Sequence, residues 1–131
     1  MTTELTYLAW TAILTLAIRV PWMINKVAVR GLDTVTHYPT ESPLLSAWAR
    51  RAWLAHEDAL QGLLVFAVLV LTLHARDESN AWTETAVIVY FWARLAHFLV
   101  YAFGVPRLKT LAFLAAFAAQ VVLAWQLVLA M

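Results

Sequence analysis

Three polar side chains have a spacing that would place them on one face of a helix, within a long apolar stretch near the middle of the chain. Arg51 and Asp58 are separated by two helical turns, and Gln61 lies one turn further on. His56 lies within the same stretch. An ionisable group inside a lipid bilayer costs at least about 2.5 kcal/mol, so it normally faces a partner or a wet cavity. These residues form a polar stripe, which is therefore a candidate functional site.

A second polar stripe lies in the next apolar stretch. Arg94, His97 and Tyr101 follow one another at intervals of about one helical turn, and Tyr90 extends the stripe in the other direction. Lys109 lies just beyond, where a further apolar stretch begins. Such a set of cationic and aromatic donors would suit a negatively charged, peptide-sized ligand.

The two stripes allow two interpretations from spacing alone. In the structural one, Arg94 pairs with Asp58 or Glu57 and joins two helices, as polar contacts in membranes do. In the functional interpretation, both stripes line an anion-binding cleft that opens towards the membrane face with most of the lysines and arginines. A proton-coupled transporter is a third, minority interpretation, because histidine and carboxylates lie within the apolar stretches.

Composition defines the elements that must position these residues. Of the 131 residues, 63% are hydrophobic and 13% are charged, against about 25% charged in a soluble domain. Four stretches are long enough to span a bilayer, at about 5–29, 45–74, 82–103 and 108–130. We therefore predict an all-α integral membrane four-helix bundle that forms a single domain over 1–131.

The same composition excludes several classes of function. The net charge of +1 gives no indication of a nucleic-acid partner, and the absence of cysteine excludes thiolate metal sites and cysteine nucleophiles. The four histidines are not closely paired in the sequence, so their spacing does not indicate a metal site.

The connecting segments predict topology. The first connection, residues 30–43, is rich in turn-forming residues, and the third is the short Gly104–Val105–Pro106 turn. The side of the membrane with loops 1 and 3 carries more basic residues than the other side, which has only Arg76; its basic residues are Lys26, Arg30, Arg50, Arg51, Arg107 and Lys109. This excess predicts that loops 1 and 3 are cytoplasmic and that both termini lie on the opposite side. The first apolar stretch is expected to be retained, because its flank carries Glu4 and no basic residue.

Three segments resemble signatures of the MAPEG family, the membrane-associated proteins in eicosanoid and glutathione metabolism. The segment Arg51–Gln61 resembles RAxxAHxNxxE, Arg94–Tyr101 resembles RxxHxxxY, and Gly104–Thr110 resembles the turn G-x-P-x-x-R-[ST]. They occur in the family's order and on the expected helices, so the resemblance covers nearly the whole chain and points to a bacterial-type member.

The resemblance implies a homotrimer that binds glutathione between protomers near the cytoplasmic face and acts on hydrophobic small molecules from the membrane. It implies a glutathione-dependent transferase or peroxidase in which Arg94 is catalytic and stabilises the thiolate. The implied glutathione-binding residues are Arg51, His56, Asp58, Gln61, His97, Tyr101, Lys109 and Thr110.

Three of these positions depart from the signatures. Asp58 replaces an asparagine, Gln61 replaces a glutamate, and Lys109 replaces an arginine. The first two changes are consistent with a carboxylate moved by one turn, or with a ligand other than glutathione. The alternative is therefore a non-enzymatic membrane trimer that binds a lipid or another anionic ligand, or that is purely structural.

Overall fold

Four long α-helices account for almost all of the residues that the structure describes. The structure is a computed structural model, and it describes residues 2–31 and 46–131. The helices are α1 (Thr3–Arg30), α2 (Ala47–Ala75), α3 (Ala81–Ala102) and α4 (Pro106–Ala130). All four are long and apolar enough to cross a membrane. The predicted all-α membrane four-helix bundle is confirmed. Most of the predicted first loop (32–43) and the start of the second stretch at residue 45 lie outside the described residues.

Local chemistry explains why the helix ends differ by a few residues from the prediction. The Thr2 side chain accepts a hydrogen bond from the Leu5 amide, so α1 begins early, and Asn80 caps α3 through a reciprocal pair of bonds with Thr83. Gly104 adopts a positive φ of 77°, and Pro106 is the first residue of α4. The predicted Gly–Pro turn is therefore confirmed.

Pro21 lies inside α1 without interrupting it. Proline is tolerated within membrane-spanning helices because neighbouring helices and local adjustment compensate for the missing backbone hydrogen bond.

Helices α2 and α3 form the centre of the bundle. Each packs against α1, against α4 and against the other, whereas α1 and α4 do not pack together in the described part of the chain. Phe66 and Val70 of α2, Val87 and Tyr90 of α3 and Leu123 of α4 form the main buried core. The two polar stripes therefore lie on the two most central helices.

Hydrogen bonds identify the two ends of the bundle. At one end, Arg51 donates from Nε to the Ala102 carbonyl oxygen at 3.1 Å. We call this the basic end: it comprises the last turns of α1 and α3 and the first turns of α2 and α4, with Arg50, Arg51, Arg107 and Lys109. At the opposite end, Ser79 and Thr83 donate to Oε1 of Glu4 at 2.6 and 2.8 Å. Which end faces the cytoplasm stays a prediction.

Candidate functional site

Asp58 lies at the centre of the polar residues that α2 and α3 bring together. Its Oδ2 is 3.2 Å from Nη1 of Arg94 and 3.4 Å from Nε2 of His97. The Asp58 side chain is 35% exposed, whereas that of Arg94 is 5% exposed. A carboxylate that reaches the surface therefore neutralises a buried guanidinium between the two helices.

Arg94 is held on its other side by Tyr90. Nε of Arg94 donates to the Tyr90 hydroxyl at 3.1 Å, and the Tyr90 ring stacks on Phe66 with a centroid separation of 4.0 Å. Because Tyr90 is fully buried, its hydroxyl is a fixed anchor. The guanidinium is therefore positioned by one residue from each of the two central helices.

Two further residues complete this arrangement, Gly62 and Gln120. The helical spacing of polar residues in the sequence did not predict a role for either of them. A Cβ atom on Gly62 would lie 2.6 Å from the Tyr90 hydroxyl and would collide with the end of Arg94. Gln120 of α4 donates from Nε2 to the Gly62 carbonyl at 2.8 Å and lies 3.5 Å from the Tyr90 hydroxyl. Its signal in the sequence was an isolated glutamine in an apolar stretch.

A continuous series of polar side chains runs from Asp58 to the basic end; we call it the polar row. From Asp58 it passes to His97, whose ring meets the edge of Tyr101 at a centroid distance of 5.5 Å. Nζ of Lys109 then lies 4.6 Å from the Tyr101 ring centroid, a cation–π contact. The row thus joins residues of α2, α3 and α4.

His97 has an unused ring nitrogen within the row. Its side chain is almost completely buried, and its Nδ1 has no hydrogen-bond partner. Since Nε2 faces a carboxylate, that nitrogen carries the hydrogen in a neutral ring and Nδ1 is the acceptor. A buried polar atom without a partner costs about 1–3 kcal/mol, so this nitrogen is an unsatisfied acceptor within the polar row.

The other predicted binding residues lie apart from the polar row. His56 is buried against Trp22 of α1, with a ring separation of 5.9 Å. Gln61 and Thr110 are exposed and make no hydrogen bond among the described residues. Arg51 contacts the end of α3, near Gly104. The protomer therefore brings together Asp58, Arg94, His97, Tyr101 and Lys109, and leaves four predicted residues outside.

This arrangement combines a half-buried cation, an accessible carboxylate and an unused imidazole acceptor. Lys109 is half-buried and has no ion pair among the residues that the structure describes. Its charge is therefore available to an anionic group, whereas that of Arg94 is largely compensated by Asp58. The row can receive a zwitterionic ligand whose anionic part meets Lys109 and whose cationic part meets Asp58.

Comparison with protein families gives one match. Residues 7–129 match the model of the MAPEG family. No curated relative matches the chain. The bacterial type stays a prediction.

Proposed function

The chain belongs to the MAPEG family, and on that premise we propose that it is a glutathione-dependent transferase or peroxidase that acts on lipophilic electrophiles. In this proposal three protomers assemble in the bilayer, and glutathione binds at the polar row near the cytoplasmic face. The electrophile is a hydrophobic small molecule that enters from the membrane.

The polar row is the observation that supports this proposal. The row extends from Asp58 through His97 and Tyr101 to Lys109 over successive separations of 3.4, 5.5 and 4.6 Å. These residues come from three helices, and helix packing alone does not require polar side chains to continue as far as the basic end. A site that binds a polar ligand from the basic end accounts for such a continuous series of polar side chains.

The donor set of the row fits glutathione. This tripeptide carries two carboxylates, one ammonium group and one thiol. Lys109 can bind a carboxylate, and Asp58 supplies the acid that the substitution at Gln61 removes. When bound, glutathione supplies a thiolate nucleophile for conjugation or peroxide reduction, and a nearby positive donor is needed because a free thiol has a pKa of about 8.5.

Arg94 provides that positive donor in the proposal, through one nitrogen of its guanidinium. Nη1 is engaged by Asp58 and Nε by the Tyr90 hydroxyl, whereas Nη2 makes no hydrogen bond among the described residues. Tyr90 and Asp58 thus fix the guanidinium in place before any ligand binds. A preorganised donor of this kind needs little rearrangement when negative charge develops.

Glutathione binding to the detergent-purified protein tests the proposal. Calorimetry measures affinity, and thiolate absorbance reports the ionisation of the bound thiol. The Lys109→Gln substitution should weaken binding by about tenfold, the loss expected for one charged hydrogen bond. Arg107→Gln is the matched control, because Arg107 is exposed and makes no hydrogen bond or ion pair among the described residues.

A double substitution tests the role of Arg94, with Asp58→Asn alone as the control because Asp58 is itself placed at the ligand. Arg94→Gln alone would leave Asp58 without its partner, so Asp58→Asn is introduced with it. We expect this variant to remain folded and to lose the thiolate signal. Absence of binding by the wild-type protein at millimolar glutathione would refute the proposal, and an unchanged thiolate signal in the double variant would refute the role of Arg94.

A purely structural membrane protein is the second candidate, and one observation favours it. Arg94 is buried and paired with Asp58 inside a single protomer, as interhelical polar contacts commonly are. This candidate predicts that the double substitution changes the stability of the protein and leaves any ligand binding unaltered.

A further inference from the structure

A groove on the outer surface of the basic end combines apolar walls with one cationic group. Its volume is about 330 Å³, and it lies where α1, α2 and α3 meet. Trp48, Phe98 and Phe103 contribute large side chains to the walls, whereas Ala52 and Ala102 leave the space between them open. The depression therefore results from small residues set between aromatic ones.

The guanidinium of Arg51 lies at this groove and is only partly used by the protein. Nε donates to the Ala102 carbonyl oxygen at 3.1 Å, and this is the only hydrogen bond of Arg51 among the described residues. The side chain crosses Gly104, where a Cβ atom would lie 3.3 Å from Nε. One bond fixes its orientation, and both terminal nitrogens remain available to an anion.

The groove lies at one end of the candidate membrane-spanning helices, where the interface between lipid headgroups and acyl chains is expected. Arg51 belongs to the second turn of α2 and Ala102 is the last residue of α3, so the charge is at the end of the membrane-spanning helices. Phe98 and Leu99 lie about one turn further from this end of α3. Trp48 is 45% exposed beside the charge, which is typical of a side chain at the membrane interface.

From this geometry we propose that the groove is a binding site for one anionic phospholipid of the surrounding bilayer. The phosphate binds the terminal nitrogens of Arg51, and an acyl chain lies between Trp48, Phe98 and Leu99. A site of this volume takes roughly ten heavy atoms, judged from the ~30 Å³ that a water molecule occupies in the liquid, which is part of one acyl chain.

The groove is separate from the polar row, because Arg51 makes no hydrogen bond to a residue of the row in the described part of the chain and bonds instead to the Ala102 carbonyl. The bilayer supplies the ligand wherever the groove faces lipid. Leu99 and Phe103 are 44% and 78% exposed in the protomer, so the walls are open to an acyl chain.

Native mass spectrometry of the intact detergent-purified assembly tests the site. Phosphatidylglycerol and phosphatidylcholine with the same acyl chains are titrated separately, and we expect tighter binding of phosphatidylglycerol. Arg51→Gln should reduce phosphatidylglycerol affinity at least about tenfold. Arg50→Gln, a neighbouring exposed arginine that does not line the groove, should reduce it by less than about threefold.

A second variant tests the groove rather than the charge. Leu99→Trp fills the space and keeps Arg51, so it should also weaken phosphatidylglycerol binding. Glycerol phosphate, which lacks acyl chains, should not compete. Equal effects of Arg50→Gln and Arg51→Gln would overturn the proposal in favour of diffuse attraction. Competition by glycerol phosphate, or a changed assembly mass in Arg51→Gln, would overturn it in favour of a soluble anion or of a contact between copies of the chain.

Discussion

Replacing Gly62 with alanine should destabilise the protein, although the same change usually stabilises a helix. In the interior of a helix, alanine is favoured over glycine by about 1 kcal/mol. Gly62 lies in the middle of α2, so helix propensity alone predicts a more stable variant. The packing around Gly62 predicts the opposite sign.

The cost can be estimated from the neighbours of the added methyl group. Its carbon would lie 2.6 Å from the Tyr90 hydroxyl and closer still to the end of Arg94. Tyr90 cannot turn away, because it is fully buried and stacked on Phe66. Overpacking of this kind costs about 1–3 kcal/mol, and displacement of Arg94 from Tyr90 or Asp58 costs about 1–2 kcal/mol more. After subtraction of the helix preference, we expect a loss of about 1–4 kcal/mol.

Equilibrium unfolding in mixed micelles with increasing dodecyl sulfate measures the free energy of unfolding. Circular dichroism follows the helices, and wild type, Gly62→Ala, Tyr90→Phe and the double variant form a cycle. Tyr90→Phe keeps the ring that stacks on Phe66 and removes the hydroxyl. The cost of Gly62→Ala should therefore fall by at least about 1 kcal/mol in this background.

Two outcomes would refute the reasoning. If Gly62→Ala is as stable as the wild type or more stable, the close approach of α2 and α3 at this position is wrong. If its cost is the same in the Tyr90→Phe background, the clash does not involve the hydroxyl.

Two further predictions concern the remaining interhelical polar contacts. Glu4→Ala should lower the free energy of unfolding by about 1.5–3 kcal/mol, because Thr83 loses a buried acceptor at the start of α3. The control is Glu84→Ala, which removes an exposed acid in the first turn of α3. Equal losses in the two variants, measured by unfolding, would contradict the prediction. Gln120→Leu should lower the free energy of unfolding by about 0.6 kcal/mol, the average for an interhelical hydrogen bond in a membrane, because the bond to the Gly62 carbonyl is lost. A variant more stable than the wild type in the same assay would contradict this prediction.

The sequence by itself determined the membrane architecture and the order of its elements. Long apolar stretches can satisfy their backbone hydrogen bonds in a bilayer as helices, and Gly104 and Pro106 mark a turn through their own backbone preferences. Helical periodicity also placed Arg94, His97 and Tyr101 on one stripe, and the structure confirms that Asp58 meets this stripe. These features depend on neighbours in sequence, or on the few charges present within the membrane.

Tertiary structure alone decided which residues meet across helices. Helical spacing gives the face of each residue but not the rotation of one helix against another, so it could not separate His56, which packs on α1, from Asp58, which pairs with α3. It also could not assign a role to Gly62, because the absence of a side chain matters only where another helix fills the space. Gln120 gains its partners in the same way. The physical reason is that interhelical contacts join residues distant in sequence, and their geometry is fixed by the packing of all four helices together.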